Sequence, residues 1–266
     1  MNIKGFIYPP TREKLIKRIR NAIKHGYRII IVTIRLRNLE GDYLKDVSIL
    51  RDYIEGSGIK YIVHTEYENH LVPWSNRSTS TMYIKRILNF ISSVGIPPVA
   101  IILHPGPCIK GLIEAIKDLS EGLHGIKTNT IISIENRPRQ CIKNYSTMRR
   151  ILKLTNVVLD LDLYQLFTAV KRDMYRFLLE CKLIASELGD RVMSIHVHWH
   201  HRPPNHPNNK LPWKKIFEIL NEYDLDLWIV PEVTSGARGV NSARRYIEEI
   251  LQELGILNLT GNNSSS

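Results

Sequence analysis

Eight short β-branched runs alternate with eight amphipathic runs along this chain, and no other feature restricts its fold as much. Residues 3–8, 28–34, 59–64, 99–104, 130–135, 157–160, 192–198 and 227–232 read as strands. After the first comes a helix capped by Thr11, with Leu15, Ile16, Ile19 and Ile23 on one face and Gly26 at its end. The other helices are expected over 42–55, 78–94, 109–119, 146–154, 165–188, 212–222 and 241–254. Strand 28–34 is almost continuously apolar, as when helices cover one side of a sheet and a core fills the other. Strict βα alternation argues for a parallel sheet, and eight units in one chain fit closure into an α/β (β/α)8 TIM barrel better than an open sheet. One such barrel takes about 250 residues. The expectation is therefore a single domain over residues 1–258, with a polar, disordered tail at 259–266.

Lysine and arginine outnumber aspartate and glutamate by 37 to 26, a formal charge of +11. A basic field of this size draws phosphate-bearing partners. Many of these charges, such as Lys14, Lys17, Arg18, Arg149 and Arg150, lie on helices that would coat a barrel, where they serve equally as a solvated surface. No apolar run is long enough to span a bilayer and the first residues lack a signal-peptide core, so the expected location is cytoplasmic, with no membrane partner. Cys108, Cys141 and Cys181 have no C-x-x-C spacing and are read as reduced packing residues.

Six consecutive strands end in a His, Asp or Glu: His64, His104, Glu135, Asp160, His198 and Glu232. These three residue types fill 36 of 266 positions, so six strand ends in a row is not a pattern chance supplies readily. In barrels of this kind the active site lies at the C-terminal ends of the strands. Buried acids are costly unless paired, and several converging there need a cation to neutralise them. The set reads as a cage for a divalent metal. His196 alternates with His198, so both point into the barrel mouth; His196 is read as facing substrate or supporting a ligand.

In chain order stand His64-Thr-Glu-Tyr67-Glu-Asn69, His104-Pro-Gly106, Ile134-Glu135-Asn136, Leu159-Asp160, Ile195-His-Val-His198 and Pro231-Glu232. This series resembles the endonuclease IV family of abasic-site endonucleases, within the xylose isomerase-like barrel superfamily. The resemblance implies that His64 and His104 hold one metal, that Glu135 bridges to a second, and that Asp160, His198 and Glu232 complete the ligands of that second metal. It also implies zinc, with manganese or magnesium as alternatives. Two ions about 3.5–4 Å apart would activate water against a phosphodiester, with Glu135 and Glu232 as catalytic carboxylates.

The chain departs from that pattern at a third metal. Three residues after Asp160 stands Leu163, and in the loop after strand seven Pro204 replaces the family's Asp, leaving His206 as the one matching ligand. One or two ions are expected, not three. Arg35, Arg37, Trp74 and Arg238 are candidates for nucleic-acid contacts, Trp74 by stacking and Arg238 at a helix start where Asn241 is the alternative cap.

Two enzymatic readings follow. The first is metal-dependent cleavage of damaged DNA at abasic sites, a DNA-repair hydrolase acting as a monomer. The second is a sugar or sugar-phosphate isomerase or epimerase of the same superfamily, with one ion on Glu135, Asp160, His198 and Glu232 and with Arg137 available to a sugar phosphate. A non-catalytic nucleic-acid binder is the third possibility. His64 and His104 separate the first two, according to whether they touch metal or substrate.

Overall fold

The computed structural model describes residues 1–35, 43–66, 74 and 76–257. Strands β1 (Asn2–Tyr8), β2 (Ile29–Arg35), β3 (Lys60–Glu66), β4 (Ala100–Leu103), β5 (Ile131–Glu135), β6 (Val158–Asp162), β7 (Val192–His196) and β8 (Asp226–Val230) close into one parallel barrel in sequence order. Helices α1 (Leu15–Lys24), α2 (Tyr43–Ser57), α3 (Arg77–Val94), α4 (Ile109–Gly125), α5 (Tyr145–Leu154), α6 (Leu163–Ala169), α7 (Met174–Leu188), α8 (Trp213–Glu222) and α9 (Gly236–Glu253) follow the strands. The (β/α)8 barrel expected from the alternation is the fold.

Strand periodicity sorts the side chains into two cores. Ile30, Val32, Ile34, Ile101 and Leu103 pack outward against the helices. Their neighbours Ile29, Ile31, Ala100 and Ile102 join Ile7, Ile62 and Val230 in a separate cluster, as the two-residue alternation of a strand requires for the barrel interior. Trp228 packs against that cluster from below. Gly5 makes room for it: its φ is +141°, and a Cβ there would come within 2.8 Å of the Trp228 ring. Two residues above the apolar layer stand polar groups on three of the strand segments, His64 above Ile62, His104 above Ile102 and Glu232 above Val230. The apolar floor therefore fixes the height of the site.

Several local expectations are corrected. Helix α1 starts at Leu15 with Lys14 at its cap position, and Thr11 accepts from the Glu13 amide instead of capping. The expected helix over 165–188 is two helices. Lys171 and Arg172 take left-handed φ values of 60° and 61°, and Asp173 caps α7 by accepting from the Arg176 amide. Helix α9 begins at Gly236, so Asn241 lies inside it and is no cap. Cys108 is exposed at the start of α4 instead of packed, whereas Cys181 is buried.

The ladders also end at different points from those expected. β6 runs on to Asp162, while β7 stops at His196 and β8 at Val230. Pro105 and Pro231 follow β4 and β8 closely, and a proline has no N–H to continue a ladder.

Candidate metal centre

His64, His104, Glu135, Asp160, Asp162, His196, His198 and Glu232 are all buried at the C-terminal end of the barrel. They form two adjoining corners. In the first, His64 Nε2 and His104 Nε2 lie 2.9 and 3.1 Å from the same oxygen of Glu135, Oε2. The other oxygen, Oε1, is 2.9 Å from Arg137 Nη2, which also lies 2.8 Å from His104 Nε2. Burial and the Arg137 charge push the His104 pKa down to about 4, so its ring is neutral near pH 7. Burial raises the Glu135 pKa, but Arg137 and His104 outweigh it and hold the carboxyl well below its usual range.

The second corner centres on His196. Its Nε2 faces Asp160 Oδ2 at 2.8 Å and its Nδ1 faces Glu232 Oε2 at 2.6 Å. Burial works against the charged ring, but Asp160 and Glu232 carry its pKa well above the usual imidazole range. Glu232 correspondingly stays ionised against burial, through His196, His198 and His201. Glu135, Asp160 and His196 offer ligand atoms all within 4.8 Å of one another, and so do Asp162, His196 and Glu232.

His198, His201 and Glu232 also offer ligand atoms within 4.8 Å of one another. His198 Nε2 lies 3.2 Å from Asp162 Oδ2 and 3.5 Å from Glu232 Oε2. Burial lowers its pKa, and Asp162 with Glu232 raises it to a net rise. The His201 amide opposes full protonation by donating to His198 Nδ1 at 3.0 Å. His201 stacks on His198 at 4.8 Å, and both His200 and His201 have left-handed backbone, with φ values of 50° and 56°. Two such residues in succession store local strain beside the site.

The sequence motifs acquire physical reasons here. Asn136 donates to the Asp162 carbonyl at 3.0 Å and accepts from the Asp162 amide at 2.7 Å, which pins the end of β6 beside Glu135. Asp162 also caps α6, accepting from the Gln165 amide at 2.9 Å. Ser194 Oγ hydrogen-bonds Asp160 Oδ1 and orients that carboxylate. Gly106, with φ of 73°, carries the turn after His104.

Asp162 and Ser194 were missed in the sequence. The alternation Leu159-Asp160-Leu161-Asp162 held the signal, since both acids fall on the inner face. The structure brings His196, not His198, into the group with Glu135 and Asp160. The cause is register: Asp162 pairs with His196, and a bulge between Leu159 and Asp160 sets Asp160 beside Ser194.

Other candidates fall outside these corners. Trp74 is buried, donating its indole N–H to the His104 carbonyl at 2.8 Å and packing edge-on against Tyr83, so it cannot stack on a base. His206 is held in its own loop, with Arg202 at 3.2 Å and the Asn208 amide at 3.2 Å. Leu163 and Pro204 are buried where the third-metal pattern calls for ligands. Arg238 is exposed on the first turn of α9. Arg35 ends β2, and its side chain, like the whole of Arg37 and the tail 259–266, lies outside the described residues.

A family model described as a xylose isomerase-like TIM barrel matches residues 19–252. The chain belongs to that family. No curated protein matches it. Solved structures of the same fold include a D-allulose 3-epimerase from Methylomonas sp., at 14% identity and TM-score 0.67, covering 94% of this chain and 100% of that one. A D-tagatose 3-epimerase-like protein is similar at 14% identity and TM-score 0.68, covering 94% and 98%. A D-psicose 3-epimerase with D-tagatose, from Clostridium cellulolyticum H10, is similar at 14% identity and TM-score 0.63, covering 94% and 98%. At this identity the likeness establishes the fold.

The residues of this xylose isomerase-like barrel fit a divalent ion. The donor set is carboxylate oxygen and imidazole nitrogen, which suits zinc or manganese. Asp160, Asp162 and Glu232 are buried, and the ion pairs they make among the described residues are all with imidazoles. No described helix is long and apolar enough to cross a membrane.

Proposed function

We propose that the chain is a metal-dependent sugar or sugar-phosphate epimerase or isomerase that moves a proton at the carbon next to a carbonyl. The observation that carries this reading is the convergence of Glu135, Asp160 and His196 within 4.8 Å, with Glu232 on the other ring nitrogen of the same histidine. An ion takes one nitrogen of the His196 ring, so either Glu135, Asp160 and His196 or Asp162, His196 and Glu232 would hold it. When bound it would polarise the carbonyl and steady the negative charge that develops on its oxygen. The structural relatives that are sugar epimerases agree with this substrate class.

The protein's own groups supply the proton chemistry. Glu135 and Glu232 reach the mouth from β5 and from just beyond β8, so they approach a bound sugar from different sides. Both are held ionised, as a base must be. One carboxylate takes the proton from carbon and leaves the electron pair in an enolate. A proton returned to the same carbon from the other side, by the opposite carboxyl after it has taken one from solvent, inverts it, and the first carboxyl releases its proton. One returned to the former carbonyl carbon, with the hydroxyl proton passing to the other oxygen, isomerises the sugar. His196 and His198 hold Glu232 in place, while Arg137 does so for Glu135.

The test is solvent exchange. Manganese- or zinc-loaded protein is incubated in D2O with a panel of ketohexoses and ketose phosphates, and deuterium beside the carbonyl is read by NMR. Exchange that disappears in Glu135→Gln supports the proposal; no exchange with any sugar contradicts it.

Phosphodiester cleavage is the second reading, and one observation favours it: His64 and His104 converge on Glu135, as the endonuclease IV resemblance implies. Metal-dependent cutting of an abasic-site duplex, without sugar exchange, would put that reading first.

A further inference from the structure

The geometry points to Arg137 as a built-in cation that fills the His64–His104–Glu135 corner, so that the chain takes one divalent ion, on the His196 side. Arg137 Nη2 lies 2.9 Å from Glu135 Oε1 and 2.8 Å from His104 Nε2. A neutral imidazole offers one lone pair, and at His104 Nε2 it can accept from the guanidinium or bind a metal, but not both. Glu135 already faces a charge, with Oε1 2.9 Å from the Arg137 guanidinium and Oε2 2.9 Å from His64 Nε2.

The backbone fixes this placement. The Arg137 amide donates to the Ile142 carbonyl at 2.8 Å, and the Arg137 carbonyl accepts from the Gln140 amide at 3.2 Å. The Cys141 amide donates to the Gly106 carbonyl at 2.8 Å, and the Gly106 amide donates to Gln140 Oε1 at 2.9 Å. The turn carrying Arg137 is thus tied to the turn that follows His104. Its guanidinium is delivered between the ends of β4 and β5, and 23% of its side chain remains accessible.

Charge separates the two corners. Glu135 already has a full positive charge in contact, whereas the ion pairs that Asp160, Asp162 and Glu232 make among the described residues are with imidazoles. A second cation beside Arg137 meets repulsion in a buried setting; one beside His196 meets the carboxylate of Asp160 on one side of the ring or that of Glu232 on the other.

This inference rests on the metal-dependent reading for the ion itself, but its test uses no substrate. Purified protein is dialysed against Co2+, bound metal is counted, and the visible absorption of the bound cobalt is recorded. The wild type is expected to hold one ion per chain, and His104→Ala to leave that number at one. Arg137→Gln is expected to hold two, with a new absorption band, and the double variant with His104→Ala to return to one. Arg137→Lys keeps the charge and stays at one. Two ions in the wild type that fall to one in His104→Ala overturn the proposal, as does a folded Arg137→Gln that stays at one, or a wild type that binds none. If Arg137→Gln fails to fold by circular dichroism, the His104→Ala comparison still decides. One bound ion together with no sugar exchange removes the epimerase reading and leaves this inference standing.

Discussion

His196 Nδ1 lies 2.6 Å from Glu232 Oε2, and the opposite nitrogen of the same ring faces Asp160. A ring that hydrogen-bonds to carboxylates through both nitrogens carries a proton on each. Metal binding must therefore displace a proton.

The first prediction follows from that proton. The raised His196 pKa stabilises the metal-free protein fully below the ordinary imidazole value of about 6.5, and this contribution is lost as pH rises through the folded-state pKa. Metal competes with the proton over that interval, so affinity should increase with pH above about 6.5. Titration calorimetry at pH 7 in buffers of different ionisation enthalpy should show at least one proton released per ion. Uptake independent of buffer would contradict the arrangement.

Ser194→Ala removes the hydroxyl that orients Asp160. Loss of such a supporting group typically lowers metal affinity by about 10–100-fold. Competition against a chelator should show a decrease in that range. An unchanged affinity would mean that Asp160 does not ligate.

Trp74→Phe keeps the ring packing against Tyr83 but leaves the buried His104 carbonyl without its indole donor. The expected cost is about 1–3 kcal/mol, read by urea unfolding. Affinity for single-stranded DNA should not change, because the residue is buried. A selective loss of DNA affinity would restore the stacking role.

Gly5→Ala places a methyl 2.8 Å from the Trp228 ring at a backbone angle that side chains rarely adopt. Overpacking of this kind costs about 1–3 kcal/mol. Adding Trp228→Leu should recover part of the loss in unfolding experiments, and no recovery would separate the two residues.

The fold was legible because it depends on patterns that repeat. Eight alternations of apolar strand and amphipathic helix survive errors at individual boundaries, such as the break at Lys171 and Arg172. The place where these side chains gather, the candidate site, was legible for a related reason. Inward-facing positions at strand ends had to be polar above an apolar floor, and His64, His104, Glu135, Asp160 and Glu232 all met there. What the sequence did not disclose was register. Asp160 pairs with Ser194 and Asp162 with His196 because the register shifts by one residue after Leu159; an unshifted ladder would set Asp160 beside Met193, and such a shift exchanges inner for outer faces. Asp162 was overlooked because the strand was ended two residues early. Arg137 stood beside Glu135 in sequence, but its contact with His104 depends on a turn tied across to Gly106.

The most direct test of the account is anomalous diffraction at the manganese or zinc edge from crystals grown with that metal. One peak is predicted, within bonding distance of His196 and of carboxylate oxygens from Asp160, Asp162 or Glu232. A peak bonded to His64 and His104 instead, or no peak at all, would contradict it.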